Sequence, residues 1–376
     1  MCVSLRFSIV TLLCVTWFSA TCQPDDFVLS SKHYFIKGKN TKADTIYFKG
    51  IGTWANPNET PSSLLYQDLK RMNMNTLRIL FSYQSFYDSQ KPRVYSATMW
   101  KWIEQHVQLA KQHGIYLILQ LGTVEGTQFV PRVDVPYDYT IWNDPKKQDN
   151  FISLWKAIAT QYKNETQIAG FSLFLEPVCE KSALEWERLA NKTVSAIREV
   201  DKNHLILIER VYGENQVRRE LSGIELNLEK AFPKINDTNF AYEFYNFETD
   251  EFTHQFAPWR PEQHIRVSRK YPDPDKIILY QEDTGETNAF VFNKRYLEFH
   301  LEKHFDFGKQ KGVPIFLWGF GTAKSTFNNN RGGDVWLRDM VNILTKLNAN
   351  WTYWGYEHPF VGIKDNEPAR QILSEH

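Results

Sequence analysis

The amino-acid sequence predicts an α/β fold, a (β/α)8 TIM barrel with an N-terminal β-hairpin. Short apolar runs alternate with helical patterns along the chain, which is typical of a parallel sheet covered by helices. Eight such βα units in 376 residues indicate one closed barrel, somewhat longer than the usual ~250 residues. The chain contains no internal repeat, low-complexity tract or linker, so we expect residues 23–376 to form one domain.

Each predicted barrel strand is an apolar run. The eight strands are expected at Phe48–Trp54, Thr76–Phe81, Ile115–Leu121, Ala169–Leu175, His204–Arg210, Phe240–Tyr245, Val313–Phe320 and Trp351–Trp354. The clearest helix spans Ser96–His113, because its apolar residues share one face, and Gly114 ends it as a left-handed cap. Upstream of the barrel, Phe27–Tyr47 has the pattern of a hairpin and is expected to plug the barrel floor.

The seventh strand has an alternative position in the sequence. Ile277–Gly285 reads IILYQEDTG and is also an apolar run that ends on an acid, Glu282. Turn residues precede it, whereas a long helical pattern at Asn293–Gln310 leads directly into Val313. We therefore expect Val313–Phe320 to be strand seven and Ile277–Glu282 to lie on a loop excursion.

The first 22 residues have the pattern of a secretory signal peptide, with Arg6 before an apolar run and small residues at its end. A secreted chain would then keep Cys179 as its single cysteine and contain no internal disulfide. Glycosylation sequons occur at Asn58, Asn164, Asn191, Asn236 and Asn350. Asn350 opens a predicted strand, so we expect sugar only at the other sequons.

Charge and motif content exclude several classes of partner. Lys and Arg together number 44 and balance 44 Asp and Glu, which argues against nucleic acid or an anionic membrane as the main partner. No later apolar stretch is long enough to span a membrane. The histidines lack zinc-type spacing and no glycine-rich phosphate loop occurs, so the sequence predicts neither a metal nor another cofactor.

Three segments carry a resemblance to a known family. GFSLFLEP at Gly170–Pro177, GVPIFLWGFG at Gly312–Gly321 and NWTYWGY at Asn350–Tyr356 resemble strands four, seven and eight of glycoside hydrolase family 5, the cellulase and exo-glucanase barrels. In such barrels the chemistry lies at the C-terminal ends of the strands, where two carboxylates flank the scissile bond. The resemblance implies that Glu176 is the acid/base. It also implies that Gly319 stands where the family's strand seven carries its nucleophilic glutamate.

Further site residues follow from the same resemblance. It implies that Arg78 lies near the nucleophile position and that Tyr245, Trp354 and Trp318 contribute to substrate binding. Three more positions depart from the family pattern: Leu175 replaces an asparagine, and Gly122 and Glu243 each replace a histidine. Each of these losses removes a polar contact to the sugar, so the sequence suggests that selection for hydrolysis has relaxed.

Two residues near these positions each allow a structural and a catalytic interpretation. Glu243 is either a charge partner for Arg78, which has lost its neighbouring nucleophile, or a relocated catalytic carboxylate working with Glu176. The compensation hypothesis is favoured, because the sequence does not fix the geometry that catalysis demands. Cys179 follows Glu176 closely, but Glu180 beside it would raise the pKa of the thiol, so an unreactive thiol is expected.

Three functions remain open at the sequence level. The first is a secreted barrel that binds a β-linked glycan without cleaving it efficiently. The second is an active β-glycosidase on β-glucan or β-mannan, with Glu176 as the proton donor and Glu243, Glu282 or Glu125 as the second acid. The third is a scaffold for an unidentified protein partner. The segment Ile118–Gln128 resembles the corresponding segment of exo-glucanases, which weakly favours β-1,3-glucan as the ligand.

Overall fold

The computed structural model describes residues 26–38, 43–88, 90–127, 138–212, 227–260, 263–281 and 287–375. The predicted signal peptide and Glu282 lie outside these ranges. Eight parallel strands close into a barrel in which each strand pairs with its neighbours in chain order. They are β4 (Lys49–Trp54), β5 (Thr76–Ser82), β6 (Tyr116–Thr123), β7 (Ile168–Ser172), β8 (Leu205–Glu209), β9 (Phe240–Asn246), β12 (Ile315–Phe320) and β13 (Asn350–Trp354).

The position of strand seven is confirmed. Strand β12 lies between β9 and β13, and β13 pairs with β4 to close the barrel. The alternative segment forms β10 (Asp273–Gln281), which pairs antiparallel with β11 (Thr287–Phe292) in a separate two-stranded sheet. Gly319 therefore stands at the C-terminal end of the seventh barrel strand.

The helices follow the strands as expected for the fold, and several carry clear end signals. The Ser96 hydroxyl caps the third helix, and Gly114 ends it with a φ of 62°. The helices are α1 (Ser63–Arg71), α2 (Tyr83–Phe86), α3 (Ala97–His113), α4 (Thr140–Asn143), α5 (Pro145–Tyr162), α6 (Leu184–Arg198), α7 (Leu228–Ala231), α8 (Asp250–Thr253), α9 (Lys294–Lys311), α10 (Gly333–Lys346) and α11 (Glu367–Ser374). None of those described is long and apolar enough to cross a membrane.

The N-terminal segment covers the floor of the barrel, but it is larger than the predicted hairpin. Strands β1 (Val28–Ser31), β2 (Tyr34–Lys37) and β3 (Asp44–Ile46) form a three-stranded antiparallel sheet. Phe35 on β2 is fully buried, and its ring lies 5.2 Å from Phe48 and 6.3 Å from Phe316. Apolar packing thus seals the end of the barrel opposite the strand C-termini.

Strand β7 is shorter than predicted. The ladder ends at Ser172, and residues 173–176 continue as irregular backbone that carries Glu176 to the barrel mouth. The Leu175 amide still donates to the carbonyl of Leu121, and the Trp155 indole donates to the carbonyl of Leu173. These bonds hold the irregular segment in place, as buried backbone groups require.

Candidate functional site

Glu176 lies at the C-terminal end of the fourth barrel strand, where the resemblance expects the acid/base. Its side chain is half-buried and its backbone has a φ of 49°, a left-handed conformation uncommon for a residue other than glycine. The Glu176 amide donates to Oε2 of Glu209 at 2.8 Å. A side chain from the next strand therefore fixes the backbone of this acid.

Glu209 is a site residue that the sequence analysis missed. It ends β8, is fully buried, and its Oε1 accepts the indole N–H of Trp318 at 2.6 Å. Burial raises the pKa of Glu209 well above its usual range, and the charges of Glu243 and Glu176 raise it further. The signal was present in the sequence, because LILIE ends an apolar strand on an acid just as FLEP does.

Glu243 and Arg78 form an ion pair inside the barrel. Arg78 Nη1 lies 2.9 Å from Oε2 of Glu243, both side chains are fully buried, and Ser172 donates to the other carboxylate oxygen. Burial lowers the pKa of Arg78 and raises that of Glu243, while each partner opposes the shift of the other. Glu243 is therefore the charge partner of Arg78. Its contacts with Arg78 and Ser172 fix the position of its carboxylate.

Gly319, which the resemblance assigns to the nucleophile position, has no side chain and so supplies no carboxylate. A Cβ atom added at Gly319 would meet the Tyr245 Cβ at 3.6 Å and the Phe247 ring at 3.8 Å, which are ordinary contact distances. The position is therefore vacant but not blocked. The preceding residue, Trp318, is only 3% exposed, so its ring offers almost no surface to a ligand.

Aromatic rings line the mouth of the barrel. Trp354 lies 6.2 Å from Trp54 and 6.5 Å from Trp318, and Tyr245 lies 5.7 Å from Trp318, each pair edge to face. Tyr212 stacks on Tyr245 at 4.3 Å. Trp54, Trp354 and Tyr245 are half-buried, so part of each ring is accessible.

Two of these tryptophans pack against glycines. A Cβ atom on Gly122 would lie 2.5 Å from the Trp54 ring, and one on Gly52 would lie 2.5 Å from the Trp354 ring. Trp54 therefore occupies the space beside the position where the family has a histidine. This contact gives a physical reason for glycine at 122 that the residue spacing alone does not reveal.

The remaining candidate acids and the cysteine lie elsewhere. Glu125, on the loop after β6, accepts the Tyr87 hydroxyl at 3.1 Å and the Asn150 amide at 3.0 Å. Leu175 is buried, and Cys179 is a buried free thiol. Within the described ranges, no three His, Cys, Asp or Glu side chains cluster as metal ligands.

The sequons differ in accessibility. Asn58, Asn164 and Asn236 are exposed. The Asn191 amide nitrogen donates to the carbonyls of Glu187 and Lys234, both at 2.8 Å, so both of its hydrogens are engaged. Asn350 is buried, and its side-chain oxygen accepts the Phe48 amide. A glycan on Asn191 would therefore cost one of the two hydrogen bonds that its amide nitrogen donates.

Comparison with known proteins identifies the family of this chain. Residues 36–358 match the sequence profile described as Cellulase (glycosyl hydrolase family 5). Endoglucanase C of Acetivibrio thermocellus is 24% identical over 310 residues, covering 79% of this chain and 84% of that protein. Endoglucanase 3 of Fibrobacter succinogenes is 26% identical over 260 residues, covering 62% of this chain and 36% of that protein.

Solved structures agree at the level of the fold. Cel5A of Thermotoga maritima in complex with cellobiose superposes with a TM-score of 0.67 at 20% identity, covering 87% of this chain and 97% of that one. The same enzyme in complex with a mannotriose substrate gives the same TM-score, identity and coverage. The profile match extends over most of the chain and includes all eight barrel strands. The chain therefore belongs to glycosyl hydrolase family 5.

Proposed function

We propose that this protein is a secreted family 5 barrel that binds a β-linked glycan and does not hydrolyse it efficiently. The observation that carries the proposal is the vacancy at Gly319, at the end of strand seven. Two other carboxyl groups of the barrel interior, Glu209 and Glu243, are fully buried and already bonded to protein groups.

Hydrolysis with retention requires two carboxylates on either side of the scissile bond, ~5–5.5 Å apart. Glu176 supplies one of them. Glu209 has one oxygen on the Trp318 indole and the other on the Glu176 amide, so it would have to break both bonds to reach a sugar. Glu243 would have to leave Arg78 as an unpaired buried cation, which is costly. The site thus has a proton donor without an available nucleophile.

Binding is supported by the aromatic rings at the mouth. Half-buried aromatic side chains offer a flat apolar face beside polar groups, which suits the C–H face and hydroxyl edges of a sugar ring. The relatives are named endoglucanases, and one solved neighbour is described with cellobiose and with mannotriose. The proposed ligand class is therefore β-linked glucan or mannan, and the predicted signal peptide favours an encounter outside the cell.

The test compares binding with cleavage. Purified protein is incubated with β-1,3-glucan, β-1,4-glucan and β-mannan, and polymer retention and reducing ends are measured together. Retention without new reducing ends is the expected result. Cleavage that Glu176→Gln abolishes would instead establish an active β-glycosidase, and the absence of both retention and cleavage would leave the protein-scaffold hypothesis.

A further inference from the structure

A second aromatic group lies beyond the barrel mouth, on the loops after strands six and eight. Trp259, His358 and Phe360 are all half-buried, and the Trp259 ring lies 5.7 Å from His358 and 4.9 Å from Phe360, both edge to face. The same group connects to the mouth, because His358 lies 6.0 Å from Trp354. The aromatic surface is thus continuous from Trp354 to Trp259.

Polar side chains form one edge of this group. Asp250 Oδ1 lies 2.8 Å from Nδ1 of His254, and Asp250 Oδ2 lies 2.6 Å from a guanidinium nitrogen of Arg260, next to Trp259 in the chain. Burial would raise the pKa of Asp250, but its bonds and charge interactions with His254 and Arg260 outweigh burial and hold this pKa at about 2. The carboxylate is therefore ionised at neutral pH and held in a fixed position.

His358 adds a neutral donor between the two aromatic groups. Burial, together with the charges of His254 and Lys324, lowers the pKa of His358 to about 4. Its Nδ1 accepts the backbone N–H groups of Phe360 and Val361 at 3.3 and 3.4 Å, so the ring hydrogen lies on Nε2. The imidazole therefore presents an N–H donor without a charge.

We propose that Trp259, His358, Asp250 and Arg260 form a second sugar-binding subsite that takes a sugar of the same β-linked chain beyond the one held at Trp354. This inference rests on the proposed function and deepens it, because it makes the ligand an oligosaccharide or polysaccharide. Trp259 supplies the apolar face, while the carboxylate, guanidinium and imidazole N–H supply hydrogen bonds to hydroxyl groups.

Charge favours this occupant over a charged one. The Arg260 guanidinium balances the Asp250 carboxylate, and His358 is neutral at pH 7. The group therefore offers fixed hydrogen-bonding atoms with little net charge, which suits the uncharged hydroxyls of a glucan or mannan better than a basic or acidic peptide. Because His358 adjoins Trp354, one extended sugar chain can contact both aromatic groups.

The experiment measures affinity against ligand length. Gluco-oligosaccharides with β-1,3 and β-1,4 linkages, from two to six sugars, are titrated into the wild type, Trp259→Ala and Trp354→Ala. Trp259→Ala is expected to weaken hexasaccharide binding about tenfold and leave the disaccharide unaffected. Trp354→Ala is expected to weaken every length. Trp100→Ala, a half-buried tryptophan on α3, is the control and should leave all affinities unchanged.

The outcomes separate the two proposals. A wild type whose affinity rises with length while Trp259→Ala matches it at every length would overturn the second subsite and leave the proposed function standing. No binding of any length by the wild type would overturn both. His358→Ala is a second variant in case Trp259→Ala does not fold, as judged by its melting temperature, and the same loss confined to long ligands is expected for it.

Discussion

The Glu209 carboxylate bridges Trp318 and Glu176. One oxygen accepts the Trp318 indole N–H at 2.6 Å and the other accepts the Glu176 amide at 2.8 Å. Trp318 adjoins Gly319, so an acid from strand five connects strand seven to Glu176, the proposed proton donor after strand four. The Glu209 side chain thus positions the backbone of Glu176.

The first prediction concerns Glu209 and pH. Its folded-state pKa is raised well above the ordinary value, mainly by burial, so the folded protein holds this proton at pH values where the unfolded chain has lost it. The stability contributed by the protonated group is therefore present below about pH 4.5 and declines as pH rises toward the folded pKa. Glu209→Gln cannot ionise, so its stability relative to the wild type should increase between pH 5 and pH 8.

Urea unfolding of both proteins across that pH range measures this difference. A Glu209→Gln effect that stays constant with pH would show that the pKa of Glu209 is not raised in the folded state. The wild type and variant are compared at equal ionic strength, because the charges of Glu243 and Glu176 also act on Glu209.

The second prediction concerns the buried ion pair. Glu243→Gln leaves Arg78 as an uncompensated cation in the barrel interior, so it should lower the free energy of unfolding by about 3–5 kcal/mol. Asp149→Asn removes the carboxylate of an exposed pair with Arg93 and should cost about 0–1 kcal/mol. Equal melting temperatures for the Glu243 variant and the wild type would remove the charge-compensation argument.

The third prediction concerns Gly122 and Trp54. Gly122→Ala places a Cβ atom 2.5 Å from the present position of the Trp54 ring, so the ring must move, at a cost of about 1–3 kcal/mol. In a Trp54→Ala background the same substitution should cost much less. Chemical denaturation of the four proteins gives the coupling energy. Additive effects would mean that the contact with Trp54 is not the reason for glycine at position 122.

The fourth prediction concerns a carboxylate introduced at Gly319. Gly319→Glu should fold, because its Cβ atom meets only ordinary contacts at 3.6 and 3.8 Å. It should release few reducing ends, since Leu175 and Gly122 still lack the polar contacts of the family pattern and Trp54 occupies the space beside Gly122. Gly319→Ala is the matched control. Turnover comparable to an ordinary cellulase from the single change would refute the importance of the other losses.

The barrel was predictable because its signals are local. Each strand is an apolar run, and the helix that leads into Val313 decides which run is strand seven. The N-terminal sheet was predicted with one strand too few, because Asp44–Ile46 has only three residues and one apolar side chain, which is too little for an apolar run.

The site was less predictable because it depends on contacts between strands. Glu209 was missed because the family pattern assigns roles to other strands, and only the fold reveals its bond to the Glu176 amide. The Trp54 ring packs against Gly122, and these residues lie at the ends of strands one and three. Their spacing in the sequence does not reveal this contact. The partner of Arg78 was predictable, since a buried cation in an apolar strand requires an anion nearby.

The most direct test of the proposal that the site lacks a nucleophile is covalent trapping. The wild type is incubated with an activated 2-deoxy-2-fluoro-β-glucoside or mannoside, which leaves a stable glycosyl ester on the nucleophile of a retaining enzyme, and its intact mass is measured. The vacancy at Gly319 predicts an unchanged mass at ligand concentrations that saturate binding. An adduct of one glycosyl unit, mapped by peptide analysis to Glu209, Glu243, Glu125 or Glu282, would contradict it.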